Sequence, residues 1–246
     1  MVRQGLRRSE IDWENVKIHV SGEEIEREQE HEKAIAQTKQ YLIENFPKFI
    51  MVNNVYYETE KYDDNIGMYE ILHVDHIVIG DQAIYVIKTV KFPENVELYG
   101  SSGTKTWHYT ENKDDKEMRL RRITNEDRRN QRNREYMAML AKEVVRTDVP
   151  TIGIVNIIGL TDENIHLNLE YGHDVVTMKN LAEKIRYYEN TIDSNRIGYE
   201  YCDAYVRKYK EEEVYDNIIP EIRDIELKFR VYTKLSEKTQ KTEDVI

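Results

Sequence analysis

The residues best placed to do chemistry crowd into the stretch Met68–Lys91, MYEILHVDHIVIGDQAIYVIKTVK. A carboxylate, Asp75, stands in the middle of an otherwise apolar run, with His73 and His76 beside it. Lys88 follows among residues that should be buried. A charged group inside such a run needs a partner or a task, because an isolated buried charge is expensive. His73 and Asp75, at i and i+2, share one face of a strand and together could hold a transition metal. The plainer reading of such a pair is a hydrogen bond. Asp75 and Lys88 could instead form an ion pair; two unit charges about 4 Å apart attract by roughly 4 kcal/mol at an effective dielectric of about 20. Lys91, three residues beyond Lys88, falls on the opposite strand face by strict alternation unless a β-bulge turns it inward.

These groups must be positioned by two strands joined at Gly80-Asp81-Gln82. Ile71, Val74, Ile77, Val78 and Ile79 fill the first strand; Ile84, Val86, Ile87 and Val90 fill the second. Apolarity on both faces places the pair inside an α/β sheet. Upstream, Ser21 and Glu24 form a capping box for a helix that Pro47 closes. Its apolar stripe reads Ile35, Ala36, Leu42, Ile43 and Phe46, and Glu32 shares that inward face as a candidate acid or an ordinary boundary Glu. Phe49–Tyr57 reads as a strand and 58–67 as a polar exposed loop. Strands are expected at 96–99, at 105–110 around the packing residue Trp107, and at 117–123, followed by a helix over 126–146. Strands over 151–158, 164–169 and 174–177 and a helix through Leu181, Ala182, Ile185 and Tyr188 complete the domain. A Tyr-bearing helix around Cys202 and a seam of Ile222, Ile225, Phe229 and Tyr232 come last.

The hairpin resembles the nuclease-related domain (NERD) family of the restriction-endonuclease-like superfamily. His73-Val74-Asp75-His76-Ile77-Val78-Ile79-Gly80 matches that family's "eIDHVVVG" strand, and Ala83-Ile84-Tyr85-Val86-Ile87 matches the start of its "GVFVIExK" strand. His31-Glu32-Lys33 aligns with its opening "GEk" helix, and Gln131 is what remains of its "NPxxQ" helix start. The resemblance implies an α/β fold with a mixed central sheet flanked by helices. It also implies a metal-dependent nuclease site at Asp75 with Glu32 near it, Lys88 standing at the family's metal-binding Glu and Val90 at its catalytic Lys. Lys91, and His73 as a metal ligand beside Asp75, are candidates on the strand pattern alone. The family's Glu-x-Lys is replaced here by Lys88-Thr89-Val90, so whether the chain is an enzyme stays open at this point. A binding protein with a degenerate centre, an active nuclease with a rearranged site and a structural protein dimerising through its C-terminal helix all remain. No cofactor is expected except Mg²⁺ or Mn²⁺ under the active reading.

The 246 residues suit one domain with extensions: an arm over 1–24, the nuclease-like domain over 25–212 and a helix with a disordered tail over 213–246. A net charge of −11 disfavours indiscriminate nucleic-acid binding. Residues 113–134 nevertheless carry nine Lys/Arg against five Asp/Glu. Arg121, Arg122, Arg128, Arg129 and Arg132, with Gln131, are therefore the candidate contacts to DNA, or else a solvated face. One cysteine and no apolar leader point to the cytoplasm, and no apolar run is long enough for a membrane span. The expected partners are DNA, another protein or a second copy of the chain. Gly-rich phosphate loops, GxSxG elbows and paired-Cys zinc sites are excluded by their absence from the sequence.

Overall fold

The computed structural model describes residues 22–92, 96–101, 103–112, 118–145, 148–159, 165–170, 174–192 and 232–233. The expectations for Ser21, Cys202 and the seam at 222–229 lie outside these residues. The first helix, α1 (Gly22–Asn45), is followed by β1 (Ile50–Asp63), β2 (Met68–Ile79) and β3 (Ile84–Lys91). Next come β4 (Val96–Ser101), β5 (Thr106–Asn112), β6 (Met118–Thr124) and α2 (Glu126–Val145). The described domain ends with β7 (Thr151–Ile158), β8 (Ile165–Glu170), β9 (Val175–Thr177) and α3 (Met178–Thr191).

Two sheets result, ordered β1-β2-β3-β7-β9 and β6-β5-β4-β8. β2 and β3 are antiparallel, whereas β3, β7 and β9 run parallel. The second sheet is antiparallel except for the parallel pair β4–β8. This is the α/β class that the apolar runs predict, with mixed sheets flanked by the helices α1, α2 and α3.

Chain contacts define two units, one formed by 1–25, 55–73 and 208–246 and the other by 26–54 and 74–207. In the first, the polar stretch 58–67 is not the exposed loop its composition suggests. β1 continues to Asp63 because Val55, Tyr57 and Thr59 alternate inward, Tyr and Thr filling places that a search for aliphatics overlooks. Asp63 then closes the turn, its carboxylate accepting from Asn65 N–H at 3.0 Å, while Gly67 takes the left-handed φ of 78°.

In the second unit, one core lies between β2, β3 and β7 and the helices α1 and α3. It contains Leu42, Phe46, Val78, Tyr85, Ile87, Ile154, Leu181 and Ile185. Another joins the two sheets through Phe92, Leu98, Trp107, Val155, Ile157 and Ile165. Trp107 is a packing residue, 1% exposed, and its ring lies so close over Gly100 that a Cβ there would fall 2.5 Å from Cδ1. Asn125 caps α2 by accepting from Arg128 N–H at 3.0 Å, and its amide donates to the carbonyls of Ser101 and Thr104.

The β2–β3 turn is held from across the core. Glu189 of α3 accepts from the N–H groups of Asp81 and Gln82 and from the Tyr85 hydroxyl. A Cβ at Gly80 would overlap that carboxylate, so the turn needs glycine there for space. Burial, followed by the Glu189 contact, raises the Tyr85 hydroxyl well above the usual phenol range.

Candidate nuclease-type site

Strand alternation in β3 sets up the site. Tyr85 and Ile87 face α1 and α3, Thr89 follows them, and Val90 packs into the inter-sheet core. Lys88 and Lys91 therefore leave opposite faces of the strand, as alternation predicts, with no bulge required. Asp75 is fully buried, and Lys88 Nζ donates to its Oδ1 at 3.0 Å. The Thr89 N–H donates to Oδ2 at 2.7 Å. His31 of α1 brings Nε2 to 3.4 Å from Oδ1.

Lys91, on the α1 face, pairs with Glu30. That contact, with a weaker one from Lys33, holds the Glu30 carboxyl below the ordinary carboxylate range. Glu32, the acid expected to face inward, is exposed on α1. The true inward stripe is His31, Ala34, Ile35, Thr38 and Leu42, whereas Ala36 is exposed and Ile43 is 42% exposed. Thr38 belongs to the stripe although it is polar, and without it the apolar positions fit a phase one residue late. Spacing of three, four and seven residues from His31 to Ala34, Ile35 and Thr38 is the signal that was available.

Behind Asp75 lies a buried polar chain. His76 Nδ1 is 2.7 Å from Asn53 Oδ1 and its Nε2 is 3.2 Å from Thr89 Oγ1. The hydroxyls of Thr89 and Thr38 are 3.2 Å apart, and the Asn156 amide donates to Thr38 at 3.0 Å. An Asn oxygen can only accept, so the neutral imidazole carries its proton on Nδ1. Burial pulls the His76 pKa down to about 4, with Asp75 opposing, so the ring is neutral at pH 7. Thr89 thus ties the Asp75 carboxylate, through its N–H, to a set of groups anchored on three strands and α1. His73, the expected second ligand, stacks on Tyr56 with ring centroids 4.4 Å apart.

The donor set does not fit a hard divalent cation. Mg²⁺ and Mn²⁺ call for several oxygen ligands, yet both oxygens of Asp75 already accept from N–H donors. The Lys88 ammonium beside this carboxylate also repels a metal cation there.

The basic candidates divide between faces. On edge strand β6, Arg121 pairs with Tyr109 and Arg122 with His108, so these two neighbours point to opposite sides of the sheet. Arg128, Arg129 and Arg132 are exposed on α2. Arg129 pairs with Glu126 at 3.2 Å, and Gln131 donates to Glu135. Arg121 and Arg122 therefore cannot both lie on one surface with the α2 group.

A mixed sheet with a central Asp-bearing hairpin, backed by an N-terminal helix, defines a nuclease-type α/β domain. The family model of the nuclease-related domain matches residues 27–158, more than half of the sequence, and the chain belongs to that family. The restriction-endonuclease-like placement is consistent with this membership. No curated protein and no solved structure matches the chain. Among the described residues no helix is long and apolar enough to cross a membrane.

Proposed function

We propose that this nuclease-related domain acts by binding nucleic acid and does not hydrolyse it. The observation that carries the reading is the contact of Lys88 Nζ with the buried Asp75 carboxylate at 3.0 Å. Hydrolysis in a metal-dependent nuclease requires a cation that lowers the pKa of a water and neutralises the phosphoryl charge. Here the carboxylate that would bind the cation is neutralised by a side chain of the same sheet. Binding through Arg128 and Arg132 needs no cation, because Arg can engage phosphate oxygens directly.

The competing reading is a metal-dependent DNA nuclease with a rearranged site. It is favoured by His31, which supplies an imidazole 3.4 Å from Asp75. Incubation of the full chain with plasmid, linear and single-stranded DNA in Mg²⁺ or Mn²⁺ separates the two. The binding reading expects retarded but intact DNA. Cutting above a mock-purified control, abolished by Asp75→Ala, would establish the nuclease instead.

A further inference from the structure

A second polar cleft shares no residue with the Asp75 constellation and stands whether or not that centre cuts. It has a volume of about 340 Å³ and lies between the first turns of α2 and the start of β7, lined by Asp127, Arg128, Gln131, Arg134, Gly153 and Asp174. That size suits a nucleobase or a small nucleotide.

Its polar groups are unevenly satisfied. Asp174 is occupied, pairing with Lys184 at 3.1 Å and accepting from the Tyr188 hydroxyl. The side chains of Asp127, Arg128 and Arg134 make no hydrogen bond or ion pair among the described residues. Burial and the nearby Asp174 charge raise the Asp127 pKa, opposed by Arg134. A half-buried carboxylate without a donor is costly and is relieved by a ligand that brings N–H groups.

The strand edge adds a backbone pair. Ile84 N–H donates to Pro150 C=O, whereas Val155 N–H donates the other way, to Asp174 C=O. Alternation turns the N–H and C=O of Gly153 to the same side as those of Val155. On that side the β9 register begins at Val155, and among the described residues no strand residue is paired with Gly153. α2 packs over this position at ordinary contact distance: a Cβ added to Gly153 would lie 3.4 Å from Asn130 Nδ2 and 3.6 Å from the Arg134 side chain.

A carboxylate that accepts two parallel N–H bonds, beside guanidinium donors, complements one base best. Guanine presents N1–H and N2–H₂ side by side and offers O6 and N7 to Arg. Adenine and cytosine present no such adjacent donor pair. A purely cationic ligand would meet Arg128 and Arg134, and a simple anion would meet Asp127. We infer that this cleft binds a guanine base, presented by a free nucleotide or by an unpaired end of a nucleic-acid strand.

Calorimetric titration of the full chain with GMP, IMP and AMP tests this. GMP should bind, with IMP and AMP weaker by roughly tenfold or more, the scale of one bidentate base contact. IMP lacks only the N2 amino group, so its deficit reports the carboxylate contact. Asp127→Asn should abolish the GMP–IMP difference while leaving the circular dichroism spectrum unchanged. If that variant does not fold, Arg134→Lys should weaken GMP binding about tenfold. Duplexes ending in one unpaired G or A distinguish the source: tighter binding of the G overhang than of GMP assigns the site to strand ends, and the reverse assigns it to free nucleotide. Binding indifferent to the base would overturn the inference. So would no binding of GMP or the G overhang at millimolar concentration, or full GMP–IMP discrimination in folded Asp127→Asn.

Discussion

Replacing Lys88 by Met keeps the length of the side chain and removes its charge. Asp75 is wholly buried and Lys88 side-chain exposure is 15%, so the carboxylate would be left in the interior without its countercharge. Breaking one partner of a buried pair costs about 3–5 kcal/mol. The Thr89 N–H at 2.7 Å and His31 at 3.4 Å remain, which favours the lower end, about 3 kcal/mol. For a chain of this size that is roughly a 6–12 °C fall in Tm. The reverse change, Asp75→Asn, should cost less, because its amide oxygen still accepts from Thr89 and the Lys88 ammonium can turn toward solvent. Urea and thermal melts at pH 7 on both single variants and the double variant give the coupling, expected at about 1–3 kcal/mol. A Lys88→Met protein within about 0.5 kcal/mol of the parent would refute the buried ion pair on which the functional reading rests.

His76 gives a pH signature. Its folded pKa of about 4 lies below the ordinary 6.5, so between those values the unfolded chain binds a proton that the fold does not. Stability should therefore fall as pH drops from 6.5 toward 4, by up to about 1.4 kcal/mol per pH unit from this group. His76→Gln should flatten that slope in pH-dependent melts; an unchanged slope would count against a neutral buried imidazole. Removing the turn anchor by Glu189→Ala should cost about 1–3 kcal/mol, measured by denaturant titration, and Gly80→Ala should also destabilise by steric overlap. Charge reversal at Arg128 and Arg132 should weaken DNA binding and lower its salt dependence by about one unit of slope per lost contact. The same reversal at Arg122, on β6 and outside the α2 group, should have little effect, which gel retardation across a salt series would show.

The fold was legible wherever one face was uniformly apolar. β7, eight residues dominated by Ile and Val, begins and ends where its sequence pattern does, and the β2–β3 turn falls at Gly80-Asp81-Gln82. Legibility failed where polar residues take inward places. Thr59 hid the continuation of β1, and Thr38 hid the true phase of α1, which placed Glu32 inward and passed over His31. Asp75 and Lys88 were readable as partners because both are charges within apolar strands. The Glu30–Lys91 pair was not, since both residues look like ordinary solvated charges until α1 is laid against the end of β3. The buried chain from His76 through Thr89 and Thr38 to Asn156 joins residues up to 118 positions apart, beyond any local pattern. Asp127 and Asp174 likewise meet in one cleft only through the fold.

The central claim is that Lys88 holds the place a metal would need. Its most direct test is calorimetric titration of Mg²⁺ and Mn²⁺ into the purified full chain, with and without DNA, alongside Asp75→Ala. With Lys88 on the carboxylate, no saturable metal binding is expected at Asp75, so the titrations of parent and variant should coincide while DNA binding persists. Stoichiometric uptake of either metal by the parent, lost in folded Asp75→Ala, would contradict it.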